Sequence, residues 1–252
     1  AILSMGRATV LAEESGDMAK DAQNPVGSLI NFRFENNSSF NVGPHDSYQN
    51  VFNLVPVYPS NINSDWNWIH RATLPIIYLE ETPIEKDSEF GLGDTLYQGF
   101  LTPSKGGDII WGIGPAFQLP TASKDIYGSG EFGVGPSAVA LTTKGQWVAG
   151  FVINNIWTFG DIKENKFLFQ YFVNYNLPKA WYVVSAPILT ANWNAVSGQQ
   201  WIVPFGGGAG KVFKVGKQPI NINAQVYNNV VRPDGWGDWQ ARLQVQLLFP
   251  KK

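Results

Sequence analysis

Hydrophobic and polar side chains change places at nearly every step along most of this chain. The C-terminal stretch shows it most clearly: Trp239, Ala241, Leu243, Val245, Leu247 and Phe249 alternate with Gln240, Arg242, Gln244 and Gln246. A period of two puts the first set on one face of a β-strand and the second on the other. Twelve stretches read as strands, at 28–35, 48–58, 66–78, 92–102, 109–119, 133–142, 147–157, 167–175, 181–190, 200–213, 219–228 and 239–249. Most run to about ten residues, long enough to cross a bilayer at a tilt. In the first, Ile30, Phe32 and Phe34 oppose Asn31, Arg33 and Glu35; in the fifth, Ile109, Trp111, Ile113, Phe117 and Leu119 oppose Gly112, Gly114, Ala116 and Gln118. The second, sixth and ninth have ambiguous faces.

The connections also alternate. After even strands they are brief (59–64, 103–108, 143–146, 176–180, 214–217), and after odd strands longer (36–47, 79–91, 120–132, 158–166, 191–199, 229–238). Short turns on one side and long loops on the other are the habit of outer-membrane barrels. Aromatic residues gather at the strand ends. Tyr58, Trp66, Tyr97, Trp111, Trp147, Tyr175, Trp181 and Phe249 mark the short-turn side; Tyr48, Tyr78, Trp157, Phe167, Trp193, Trp201, Tyr227 and Trp239 mark the other. Rings with polar tips favour a membrane–water boundary, whereas a β-sandwich core would hold its aromatics at strand middles. The pattern predicts an all-β fold: a twelve-stranded antiparallel transmembrane β-barrel with a short N-terminal helix or tail.

Composition sharpens this picture. Of the 252 residues 15% are charged and 14% aromatic, which suits an outer wall facing lipid. No apolar run approaches the roughly eighteen residues of a spanning helix, so a membrane crossing requires a closed barrel. A net charge of -2 disfavours nucleic acid as partner, and without cysteine there is no thiolate metal site or disulfide framework. Three parts are expected: 1–12 as the remnant of a signal peptide, with Val10-Leu11-Ala12 resembling a cleavage site; 13–25 as an N-terminal periplasmic segment or plug; and 26–252 as the barrel.

Charged and amide side chains on the inward faces are the candidate functional residues. Arg33, Glu35, Arg71, Asp94, Gln98, Arg242 and Gln244 are expected to line the lumen and set selectivity, because a charge pointed at lipid costs roughly 2–4 kcal/mol. A structural salt-bridge lattice is the alternative for the same residues. Glycines two apart, such as Gly112 and Gly114, clear one face for something to lie against the wall; the 13–24 segment is a candidate occupant. His45-Asp46-Ser47 holds triad residue types, but neighbours in one loop cannot converge as a triad does. His70 should face outward if Arg71 faces inward. No metal-ligand spacing is present, and no cofactor is expected. The 228–237 loop and the loop bearing Trp193 place aromatics and amides at the outer mouth, as a solute-gathering surface or as tightly packed loops.

Several segments resemble a known family. They include Gln23-Asn24-Pro25-Val26-Gly27-Ser28-Leu29-Ile30, Asp65-Trp66-Asn67-Trp68-Ile69, Leu74-Pro75-Ile76-Ile77-Tyr78, Phe90-Gly91-Leu92-Gly93-Asp94-Thr95 and Ile110-Trp111-Gly112-Ile113-Gly114-Pro115. Gly133-Val134-Gly135-Pro136, Gln200-Trp201-Ile202-Val203-Pro204 and Leu247-Leu248-Phe249-Pro250-Lys251 continue the series. Together they resemble the outer-membrane transporters associated by name with the meta-cleavage pathway of phenol degradation, whose members are often mislabelled neuromedin U. The resemblance implies an outer-membrane barrel with a transport role and carries no catalytic residues.

The expected function is therefore a non-enzymatic outer-membrane channel for passive passage of a small solute, with aromatic or hydrophobic compounds as the candidates. The alternatives are a structural or partner-binding barrel without an open pore, and a lipid-modifying enzyme using an outward Ser–His pair. Expected partners are outer-membrane lipid and lipopolysaccharide, the solute, and the barrel-assembly machinery through the C-terminal strand. The expected location is the bacterial outer membrane.

Overall fold

The computed structural model describes residues 18–27, 29–80 and 88–249; the presumed signal remnant at 1–12 lies outside them. Fourteen β segments follow a short helical turn at 18–22. They are β1 (Ile30–Val42), β2 (Ser47–Asn61), β3 (Trp66–Leu79), β4 (Glu89–Leu92), β5 (Thr95–Pro103), β6 (Ile109–Leu119) and β7 (Gly133–Lys144). After these come β8 (Trp147–Thr158), β9 (Asn165–Asn176), β10 (Trp181–Ser185), β11 (Ile188–Asn192), β12 (Trp201–Val215), β13 (Gln218–Val231) and β14 (Trp239–Phe249).

Every paired neighbour is antiparallel, and β1 closes on β14 with Arg33 opposite Gln246, Glu35 opposite Gln244 and Asn37 opposite Arg242. β4 and β5 both pair with β3, and β10 and β11 both bridge β9 to β12. Each duo forms one stave, interrupted at Gly93-Asp94 and at Ala186-Pro187. The result is a closed twelve-stranded antiparallel barrel without a free edge. Its staves match the twelve stretches of alternation, and the bounds of β6 and β14 coincide with them.

Two regions differ from the sequence expectation. The loop expected at 36–47 is a four-residue turn, because β1 and β2 continue outward to Val42 and Ser47. Alternation fails there because outward positions are polar: Asn50 Nδ2 donates to Ser38 Oγ (3.0 Å) and Tyr48 Oη (3.0 Å), and Asn36 Nδ2 donates to Ser38 Oγ (3.3 Å). These groups satisfy one another on the outer wall.

The second difference is the inner half of the lumen, which is an apolar core rather than a wet channel. Inward-facing Val57, Ile69, Phe100, Val139, Leu141, Val148, Val152 and Phe172 pack around Ala19, Ala22 and Val26 of the N-terminal segment. All three of these N-terminal side chains are almost fully buried, Ala19 at 0% exposure. Inward apolar positions erase the period of two, which explains the ambiguous faces of the second and sixth stretches. The glycines of β6 do not cradle that segment: a methyl group on Gly112 would press on Phe100 and Val139.

Candidate lumen site

β13 supplies a polar inner face at every second residue: Asn221, Asn223, Gln225, Tyr227 and Asn229 are all buried. Across from it, Tyr182 of β10 lies over Gly210, where a side chain would overlap the phenol ring. The Tyr182 hydroxyl donates to Asn221 Oδ1 (2.8 Å) and accepts from Asn223 Nδ2 (3.2 Å). Tyr227 hydrogen-bonds Gln225 and accepts from the Ala186 amide (3.1 Å). Sequence reasoning placed Tyr227 in the outer aromatic ring because it stands near a strand end. The structure turns it inward at 1% exposure, in register with Asn223 and Gln225 before it and Asn229 after it.

Three arginines and one carboxylate occupy the middle of the lumen. Arg33 Nη1 bridges Glu35 Oε1 at 3.1 Å. Arg242 donates from Nε to Asn37 Oδ1 (2.8 Å) and from Nη1 to the Ala186 carbonyl (2.9 Å), and its guanidinium stacks on Tyr227 at 5.5 Å. It thereby ties the interrupted ninth stave to the seam. Arg71 faces Arg33 and Glu35 electrostatically. Its Nε and that of Arg33 are buried with no hydrogen-bond partner among the described residues. Gln244 joins these arginines around a central cavity of about 80 Å³, whose inner side is formed by Ala22, Gln23 and Pro25. A buried polar group without a partner costs free energy, and the cavity gives water or another polar molecule room to reach these donors.

Asp94 and Gln98, also expected to line the lumen, stand apart from the arginines. Asp94 sits at the outer mouth and anchors the 120–132 loop: Oδ1 accepts from the Ala122 amide (3.1 Å), and Oδ2 from the Gly130 amide (3.1 Å) and Ser129 Oγ (3.3 Å). Its carboxylate is satisfied by loop donors. Gln98 donates to Ser137 Oγ (2.8 Å) in a lateral lattice inside the wall. Arg33, Glu35, Arg71, Arg242 and Gln244 are brought together; Asp94 and Gln98 are not part of that group.

Above the arginines lies a second cavity of about 450 Å³. Leu96, Ile156, Leu168 and Ile202 line it, and Trp236 of the last outer loop borders it with Pro233. That loop is braced by Arg232 against Asp238 and by Gln199 Nε2 to Asp234 Oδ2 (2.9 Å). The Trp193 loop instead pins itself to the outer wall, where Trp193 Nε1 donates to Asn155 Oδ1 (2.9 Å) and its ring meets Trp201 edge-on at 5.3 Å.

The rest of the outer wall is largely apolar, with aromatics near both ends. Trp66 meets Trp111 at 6.1 Å, Trp147 meets Tyr175 at 4.7 Å, and Lys211 Nζ lies over Trp181 at 5.0 Å on the short-turn side. Trp157, Trp201 and Trp239 stand at the other strand ends. Tyr97, expected in the inner ring, is opposite Ala72 at mid-wall. His70 does face outward: its Nε2 is 3.2 Å from Ser60 Oγ and its Nδ1 2.8 Å from Tyr97 Oη. Ser60 Oγ is also within hydrogen-bond reach of the Trp68 carbonyl (3.1 Å), which competes with the ring for its proton. The far end of the chain is a phenol, not the carboxylate that orients a catalytic imidazole. Among the described residues no group of three or more His, Asp or Glu could hold a metal.

Comparison with known proteins places this geometry in a structural class. No family model matches the chain, and no curated protein matches it. Among solved structures it resembles the COG4313 outer membrane channel from Pseudomonas putida F1, with TM-score 0.66 and 17% identity over 90% of this chain and 97% of that one. A bacterial polysaccharide outer membrane secretin superimposes more loosely, with TM-score 0.42 and 9% identity over 89% of this chain and 99% of that one. The first likeness concerns the fold, a closed antiparallel barrel of twelve staves.

Proposed function

We propose that this chain is an outer-membrane channel for passive passage of a small solute with an apolar, ring-sized body. The observation that carries the reading is axial order. A largely apolar outer cavity of about 450 Å³ stands next to an arginine-lined neck cavity of about 80 Å³, inside a wall that is apolar outward. A solute would gather in the outer cavity against Trp236, cross the arginine belt, and leave past the N-terminal segment. The fold shared with an outer membrane channel supports this, as do the segments resembling transporters associated with phenol degradation. On this reading the aromatic rings Trp66, Trp111, Trp147, Tyr175 and Trp181 on one side, and Trp157, Trp201 and Trp239 on the other, sit at the two membrane boundaries. Outer-membrane lipid and lipopolysaccharide surround the wall, and β14 presents the signal for the barrel-assembly machinery.

The buried N-terminal segment favours a second reading, a barrel kept shut for a structural or partner-binding role. Planar-bilayer recording on the full chain separates them. Discrete conductance steps, with uptake of a neutral arene into proteoliposomes, support the channel; a silent bilayer and impermeable vesicles support the closed barrel.

A further inference from the structure

The contents of the neck specify the polar end of the solute. Arg33, Arg71 and Arg242 converge on the central cavity, and Glu35 is the carboxylate all three face. Two positive charges are left over in a space bordered by Ala22, Gln23 and Pro25. Arg242 spends its Nε and Nη1 donors on Asn37 and Ala186, and Arg33 spends Nη1 on Glu35. Arg71 makes no hydrogen bond or ion pair among the described residues, and its buried Nε is unsatisfied. A guanidinium with donors to spare in a low-dielectric site calls for an anion that can accept two bonds in a plane.

The size and surroundings narrow the anion further. The neck cavity of about 80 Å³ is well short of the roughly 150 Å³ that holds a benzene ring. It admits an anionic head but not a ring. The ring has room in the outer cavity, which is adjacent: along β8 the inward position after Val152 of the neck is Asn154 of the outer cavity, and along β9 Gln170 gives way to Leu168. We infer that the three arginines form a carboxylate-binding station, and that the solute is a monocarboxylate whose head docks on Arg71 and Arg33 while its apolar body rests against Leu168, Ile156 and Ile202. Asp94 does not oppose this, because amide and hydroxyl donors of its loop already occupy it. The inference rests on the channel reading for its transport meaning but not for its binding chemistry.

The test is calorimetric titration of the full chain in an uncharged detergent with benzoate and with benzamide, its neutral counterpart. Benzoate should bind about tenfold or more tightly than benzamide, the scale of a charge-assisted hydrogen bond. Arg71→Gln should remove that preference. Gln244→Glu, which sets a carboxylate of nearly the same shape beside the cavity, should remove it too and guards against misfolding of the arginine variant. Equal binding of benzoate and benzamide, or a benzoate preference that survives Gln244→Glu, overturns the inference. Recording conductance on the same preparation keeps the two proposals apart. Current without benzoate preference defeats the carboxylate station alone, and benzoate binding without current defeats the channel alone.

Discussion

Gln23 and Asn176 face each other across the inner mouth and exchange two amide hydrogen bonds, Gln23 Nε2 to Asn176 Oδ1 at 2.9 Å and Asn176 Nδ2 to Gln23 Oε1 at 3.2 Å. One residue belongs to the N-terminal segment, the other ends β9, and Asn176 is further fixed by donating to the Gln146 carbonyl (3.1 Å). This amide pair is the polar tie of an N-terminal segment otherwise held by apolar contact through Ala19, Ala22 and Val26, which on the channel reading would act as a plug. Gln23→Ala removes the tie while leaving the barrel wall untouched. Each such hydrogen bond is worth about 0.5–1.5 kcal/mol, so the plug should open several-fold more often. Single-channel recording reads this as increased open probability at unchanged conductance; unaltered gating would mean the segment is not the gate.

The ninth stave depends on Arg242. Its side chain supplies donors to the Ala186 carbonyl beside the Ala186-Pro187 interruption and to Asn37 across the seam. Arg242→Ala takes this donor from the part-buried Asn37 and leaves the Ala186 carbonyl only Gln170 Nε2, at about 1–3 kcal/mol in all. The folded barrel should therefore unfold at lower urea concentration. The aromatic environment of Tyr227, stacked under the guanidinium, should change in near-ultraviolet circular dichroism.

Gly210 clears space for Tyr182. A methyl group there would overlap the ring that hydrogen-bonds Asn221 and Asn223. Gly210→Ala should destabilise by roughly 1–3 kcal/mol, as overpacking does, while Tyr182→Phe leaves packing intact and loses only the hydroxyl. Thermal unfolding in detergent should rank Gly210→Ala below Tyr182→Phe.

Much of the wall was legible in sequence. The sequence marks β6 and β14 to the residue because their two faces differ sharply, as Leu243 beside Gln244 illustrates. The legible signal weakens where a second structure shares the face. Val57, Ile69 and Val139 point inward yet are apolar because the N-terminal segment packs on them. Asn36, Ser38 and Asn50 point outward yet are polar because they bond one another. At the site, Arg33, Arg71 and Arg242 were legible as charges on inward faces. The Tyr182 and Tyr227 hydroxyls were not, since a tyrosine near a strand end serves a boundary ring or a lumen equally well. The polar repeat Asn221, Asn223, Gln225 carried the missing clue, for it fixes which way Tyr227 must turn.

Glu89, at the outer end of β4, forms a pH-sensitive brace with the 120–132 loop. Lys124 Nζ donates to Glu89 Oε2 at 2.7 Å, and the Tyr127 hydroxyl also approaches it at 3.3 Å. The Lys124 hydrogen bond holds the Glu89 carboxyl below its ordinary value of 4.5. A carboxyl depressed in the folded state contributes stability that is present above 4.5 and lost as pH falls through the lower folded value. The 120–132 loop of the native chain should exchange amide hydrogens more slowly than that of Glu89→Gln at neutral pH. The difference should vanish when both are compared at a pH below the depressed value.

The whole account depends on which side of the wall meets lipid. The chain contains no cysteine, so a single spin label can be placed at Leu243→Cys or at Gln244→Cys, adjacent residues on opposite faces of β14, in protein reconstituted into bilayers. Collision with oxygen, which concentrates in lipid, should dominate at 243, and collision with a water-soluble nickel chelate should be weak there. The label at 244 should be shielded from oxygen. A label at 243 that meets the nickel chelate freely, or one at 244 that is oxygen-rich, would contradict the membrane channel.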